Sequence, residues 1–184
     1  MAIVLIVIAV VVVLLIIFAV VSYNRLIGLK NRVDSAWAQI DVQLKRRHDL
    51  IPNLVETVKG YAAHERETLE KVVQARNIAV AAQGPQAQAQ AENMLSGTLK
   101  SLFAVAEQYP DLKANQNFLQ LQEELTSTED RIAYSRQFFN DSVQKLNTKI
   151  QTFPAMLFAG IAKANQREYF EADQTDRSNV QVQF

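Results

Sequence analysis

Residues 1–21 read MAIVLIVIAVVVVLLIIFAVV. The run holds no charged side chain, no polar side chain, no glycine and no proline. As a helix it spans ~30 Å at about 1.5 Å per residue, the hydrocarbon thickness of a bilayer. A helix that is apolar on every face must be covered on every face. Nothing else in the chain is suited to surround it, so residues 1–22 are expected to be a retained, single-pass transmembrane helix. A cleaved signal peptide has a basic leading region, a shorter core and a small-x-small cleavage site. Here no Lys or Arg precedes the core, and Ala19, Val20 and Val21 make a poor cleavage site. Without a cysteine, lipoprotein processing is excluded.

Charge on the flanks sets the expected orientation. Arg25, Lys30 and Arg32 follow the run, against the α-amino group alone before it. The positive-inside rule then places the N-terminus outside and the rest of the chain in the cytoplasm. About 160 residues remain, enough for one domain with a modest core. The formal net charge is zero, which gives no electrostatic reason to bind nucleic acid. No cysteine and two histidines argue against disulfides and a zinc site. Few glycines and prolines, with much Ala, Gln, Leu, Glu and Lys, predict long helices rather than a sheet.

The apolar stripe predicts where those helices lie. Leu26, Leu29, Val33, Trp37, Ile40, Leu44, Ile51, Leu54, Val55 and Val58 follow helical spacing. Pro52 interrupts this first helix chemically. It cannot donate to the carbonyl of His48, and a bend is expected there. Lys59 and Gly60 predict the helix end. A second helix is expected over residues 62–82, with Glu67 and Lys71 as an i,i+4 pair. Gly84 and Pro85 predict the break before a third, over about 86–108. Tyr109, Pro110 and Asp111 break that one. In the fourth, over about 115–152, Phe118, Leu121, Leu125, Ile132, Phe139, Val143, Leu146 and Ile150 follow steps of 3, 4, 7, 7, 4, 3 and 4. That is a sustained coiled-coil register. Residues 154–184 are expected to be a loose tail that begins apolar, with a short helical turn near 167–172.

The fold class expected is all-α: a transmembrane helix continuing into an antiparallel long-helix, four-helix bundle over residues 23–153. The first and fourth helices are each ~55 Å long beyond the membrane, and the middle two ~30 Å. The membrane-proximal half then holds only two helices. Leu26, Leu29, Val33 and Trp37 on one, and Phe139, Val143, Leu146 and Ile150 on the other, are expected to need further partners. Lateral self-association into a homo-oligomer would supply them. The fourth helix also returns residues 153–161 toward the bilayer. Met156, Leu157, Phe158 and Ile161, with Arg25, Lys30 and Arg32, form the expected membrane-lipid interface. Folding of that segment on its own bundle, or against another subunit, is the competing expectation.

No chemistry stands out. His48 and Asp49 are adjacent on a helix and point about 100° apart, so Lys45, Arg46, Arg47 and His48 are expected on a basic helix face, with partner contact as the special use of the Lys45–Arg47 cluster. Glu123 with Glu124, and Glu129 with Asp130, are expected on a solvated acidic one. Thr126 and Glu129 match a capping box but fall in mid-helix. There is no phosphate loop, nucleophile motif or HExxH. No enzyme activity, cofactor or metal is expected.

The run NRVDSAWAQIDVQLKRRHDLIPNLV at residues 31–55 strongly resembles the LemA family, as do PDLKA at 110–114 and QLQ at 120–122. Glu129, Arg131, Ile132, Ala133, the stretch 134–147, Phe153 with Pro154, and REYF at 167–170 extend the resemblance. Between Phe158 and Arg167 the chain departs from an aromatic GLFGF-like run of that pattern. The resemblance implies a bacterial single-pass membrane protein with a long-helix bundle, and suggests links to membrane protease and envelope-stress systems. The leading expectation is a self-assembling scaffold of the bacterial cytoplasmic (inner) membrane. The alternative is a regulatory adaptor for a membrane protease or other membrane protein. A pilin-like subunit would need an acidic residue in the first apolar turns and a basic leader. A sensor would need an output domain.

Overall fold

The computed structural model describes residues 1–170, which are all-helical with no strand among them. The apolar start runs without a break into the amphipathic stretch behind it, giving one helix, α1, over Ala2–Lys59. Pro52 lies inside α1 without ending it, because a proline removes one ladder bond and the flanking turns keep theirs. Gly60 follows the last residue, and Gly60 and Tyr61 amides bond back to Glu56 and Val58. Helix α2 spans Arg66–Ala81, beginning four residues later than the 62 expected. The difference is physical: Ala62 and Glu65 amides close turns on Val58 and Ala62 before helical geometry begins.

Helix α3 spans Pro85–Ala106. It starts at Gly84, whose φ of 85° a side chain would oppose, with Pro85 in the first turn where a missing N–H costs nothing. The expected break at Tyr109 and Pro110 contains a one-turn helix, α4, over Pro110–Lys113. Helix α5 spans Gln116–Gln151. Asn115 caps it, its Oδ1 accepting from the Phe118 amide at 3.0 Å. A short helix, α6, spans Met156–Ala159.

Two compact units divide the described chain. The first is built from Met1–Ala38 and Gln137–Glu168. Leu26, Val33, Ala36, Phe139, Val143, Leu146, Ala155, Ala162 and Ala164 are its buried apolar residues. Trp37 packs on Phe139 with ring centres 5.4 Å apart. The second comprises Gln39–Arg136, with Tyr169 and Phe170. Its core joins Ile51, Leu54 and Val58 of α1, Leu69 and Val72 of α2, Leu95, Leu99 and Leu102 of α3, Leu112 of α4, and Phe118 and Leu125 of α5. Heptad positions of long helices supply nearly all of it, as their spacing predicts.

Of the loose tail expected over 154–184, the described part, residues 154–170, is packed on the chain in part. Residues 155–164 close turns on themselves, and Phe170 is buried with the Arg136 guanidinium 4.5 Å from its ring centre. Of the helical turn expected at 167–172, residues 167–170 are not helical, and Glu171 and Ala172 lie outside the described residues. So does the rest of the tail to residue 184.

Candidate functional site

The apolar start of α1 is long and apolar enough to cross a membrane, and none of it is buried among the described residues. Beside its last turns lies α6. Phe158 meets Phe18 edge to face, ring centres 6.3 Å apart at 61°. Around that contact Phe153, Met156, Leu157 and Ile161 are 76%, 51%, 62% and 71% exposed. They form a collar of large apolar side chains turned to solvent, continuous with the apolar face of α1.

A polar clamp holds the chain behind the collar. Asn147 of α5 uses both ends of its amide on Arg167: its Nδ2 donates to the Arg167 carbonyl and its Oδ1 accepts the Arg167 amide, each at 2.9 Å. The Arg167 guanidinium reaches back to Asp34 of α1 at 3.0 Å. These bonds tie the returning strap to both long helices of the first unit. The collar between α5 and Arg167 is therefore fixed at both ends.

Of the expected self-association residues, Leu26, Val33, Phe139, Val143 and Leu146 are buried within the chain, and Leu29, Trp37 and Ile150 are half-buried. The two stripes cover each other, and Ala155, Ala162 and Ala164 of the returning strap are buried in the same unit. The reason given for outside partners, two stripes left uncovered, does not hold at these residues. Of the expected interface residues, Met156, Leu157, Ile161, Arg25 and Arg32 are exposed, Phe158 and Lys30 half-buried. The Arg32 guanidinium lies 5.2 Å from the Phe138 ring centre.

The second unit holds a charged network that buries Arg47 and His48, two residues of the expected basic helix face. Arg47 and His48 of α1 and Glu92 of α3 are buried, Glu92 at 2% exposure. Adjacent residues on α1, diverging by about 100°, still reach one carboxylate because Glu92 stands between their directions. Arg47 Nη1 bonds Glu92 Oε2 at 3.3 Å and His48 Nε2 meets Glu92 Oε1 at 2.7 Å. Gln88 Nε2 donates to the same Oε1 at 2.9 Å. Arg47 also binds Ser96 Oγ at 2.7 Å and Glu129 at 2.9 Å. The carbonyl of His48, deprived of a helical donor by Pro52, accepts from Arg76 Nε of α2 at 2.9 Å.

This arrangement pins α1 to α2, α3 and α5 by directed bonds. A cleft of about 200 Å³ opens beside it, lined by Arg47, Ser96, Lys100, Thr126, Glu129 and Asp130 among others. No cluster of metal-ligating side chains occurs among the described residues. Elsewhere in this unit, the hydrogen bond from Lys71 lowers the Glu67 carboxyl from its ordinary value. The bond from the Tyr109 hydroxyl to Glu65, at 3.1 Å, raises the phenol above its usual 10.0 by favouring the protonated donor.

Comparison with known proteins bears on residues 36–184, which match the model of the LemA family; residues 1–35 lie outside the match. Protein LemA of Metamycoplasma hominis is 30% identical over 161 residues, covering 85% of this chain and 72% of that protein. Magnetosome protein MamQ 2 of Paramagnetospirillum magneticum and magnetosome protein MamQ of Magnetospirillum gryphiswaldense are each 26% identical, over 175 and 174 residues. This chain is covered to 81% and 80% in those alignments and spans 64% of each magnetosome protein's length.

Proposed function

The chain belongs to the LemA family, and on that premise we propose that it is a non-enzymatic, membrane-anchored helical scaffold of the bacterial cytoplasmic membrane. The apolar start of α1 crosses the bilayer with its N-terminus outside. Arg25, Lys30 and Arg32 hold the opposite flank in the cytoplasm. In this reading α1, α2, α3 and α5 pack as an antiparallel four-helix bundle on the cytoplasmic side, and copies associate through the spans.

One observation carries the reading: residues 2–21 are apolar on every face, and none of them is buried by the described residues. Such a surface needs a second solvent, lipid, or copies of itself. The network around Glu92 supports a structural role. Its charged groups are paired with one another and join α1 to α2, α3 and α5, which supports work in holding helices together.

The test is mass in mild detergent, by light scattering, of the full chain beside a chain beginning at Ser22. A discrete multimer that depends on the apolar start is expected. Monomers in both preparations would overturn self-assembly and turn attention to an adaptor that acts through a stoichiometric membrane partner.

A further inference from the structure

We infer that the collar of Phe153, Met156, Leu157 and Ile161 is a lipid-binding site that inserts into the interfacial layer of the same bilayer that α1 crosses. The inference rests on α1 being the membrane span, and it adds a second, reversible point of attachment made of different residues.

Three observations support lipid as the occupant. The first is level. Phe158 touches Phe18, which lies three residues inside the end of the apolar run at Val21. Three residues of helix are ~4.5 Å, so the contact sits just beneath the hydrocarbon boundary. Arg25 lies ~10 Å further along the same axis, at headgroup level, where a basic side chain meets anionic phosphate. A collar at this depth is adjacent to lipid as soon as α1 is inserted.

The second is exposure. Four large apolar side chains within nine residues are each more than half exposed, and Phe158, within the same stretch, touches Phe18 of the apolar start. Their neighbours Ala155, Ala162 and Ala164 are buried. The segment thus turns its small residues inward and its large ones outward, the reverse of a segment folded to bury itself in water.

The third is backbone chemistry. Peptide that leaves water must satisfy its hydrogen bonds internally. Amides of Met156, Leu157, Phe158, Ala162, Lys163 and Ala164 bond to carbonyls of Thr152, Pro154, Ala155, Phe158, Gly160 and Ala159. Much of the segment's backbone is therefore already satisfied internally before it meets a low-dielectric layer. Its nine residues are too short to span, which confines it to the interface. The Asn147 clamp on Arg167 keeps its outward face in place.

The chain has no cysteine, so single labels can be placed without other substitutions. The full chain is reconstituted in nanodiscs of phosphatidylethanolamine and phosphatidylglycerol. Nitroxides are attached at Leu157→Cys and Ile161→Cys, with Val12→Cys in the span and Val42→Cys on an exposed face of the second unit as references. Collision with oxygen reports lipid, and collision with a water-soluble nickel chelate reports solvent. The expected result is an oxygen-to-nickel ratio at 157 and 161 several-fold above that at 42, approaching that at 12.

A ratio at 157 and 161 equal to that at 42, with position 12 lipid-like, overturns the inference and leaves the anchor reading intact. A water-like position 12 overturns the anchor reading and the inference with it. Protection from both agents with spin–spin broadening at 157 assigns the collar to a second copy and likewise overturns it. A label-free check is amide exchange of the chain without nitroxides. Residues 156–164 are expected to exchange several-fold more slowly than in a Phe153→Ser, Leu157→Ser chain in the same nanodiscs. Equal rates count against lipid contact.

Discussion

Replacing Glu92 with Ala is the sharpest test of the buried network. Three bonds end on this carboxylate: from Arg47 at 3.3 Å, from Gln88 at 2.9 Å, and the contact with His48 at 2.7 Å. The partners do not suffer equally. Arg47 keeps Ser96 and Glu129, and Gln88 keeps the Ala79 carbonyl at 3.0 Å. His48 loses its carboxylate in a site where it is 7% exposed. Removing one member of a buried charged pair costs about 3–5 kcal/mol, and the surviving partners of Arg47 place the loss near the lower end, about 3 kcal/mol. For a chain of this size that is a fall in Tm of about 6–12 °C.

The assay is thermal unfolding by circular dichroism in mild detergent, with Glu124→Ala as the comparison. Glu124 pairs with Arg46 at 3.1 Å, with both side chains over a third exposed, so its loss costs under about 1 kcal/mol. Glu92→Gln keeps an acceptor oxygen and should fall between the two. A Glu92→Ala chain that melts no lower than Glu124→Ala would refute the reasoning, because burial would then have conferred no added cost on breaking the cluster.

Two further predictions concern single bonds. Arg76→Ala should cost about 1–2 kcal/mol by orphaning the His48 carbonyl, but clearly less in a Pro52→Ala background, where residue 52 again has an amide to donate. Denaturant titration of the four chains checks this, and additivity within about 0.3 kcal/mol would refute it. In a spectrophotometric titration Tyr109 should ionise above the usual 10.0, and Glu65→Ala should remove that shift. The sign follows from the neutral phenol being the bonded form. Its contribution to stability is complete below the unfolded value and is lost as pH rises through the folded one.

Much of this architecture is legible in the heptads. Gly84 with Pro85 marks a break that the φ of 85° confirms, and the stripe from Phe118 to Leu146 is inside, as its spacing predicts. The network was legible too, but only by reading the polar residues that occupy stripe positions. On α1 the buried series runs 40, 44, 47, 51, 54, 58, and Arg47 fills the place a step of seven leaves between Leu44 and Ile51. On α3 the series runs 88, 92, 95, 99, 102, 106, beginning with Gln88 and Glu92. A basic residue on one stripe and an acidic one on another signal a buried pair, whereas a cluster such as Lys45, Arg46 and Arg47 read as a unit signals only a basic face. The clamp was not legible. Asn147 and Arg167 are twenty residues apart across a turn, and neither carries a local pattern that names the other.

The chain uses apolar residues in two ways, and the difference bears on what the protein is for. Leu26, Ile40, Ile51, Leu95 and Leu146 meet the hydrophobic effect within the chain and are spent on folding. Residues 2–21 and the collar leave theirs unspent. Folding cannot be the reason for that second set, since no described part of the chain covers it. The charged network fixes which helices meet in the second unit, and the core of that unit contains none of the second set. On the proposed reading that apolar surface is governed by its surroundings, lipid at the collar and lipid or another copy along residues 2–21. That separation is what a membrane scaffold requires: a folded body whose packing does not change with the occupant of its membrane face.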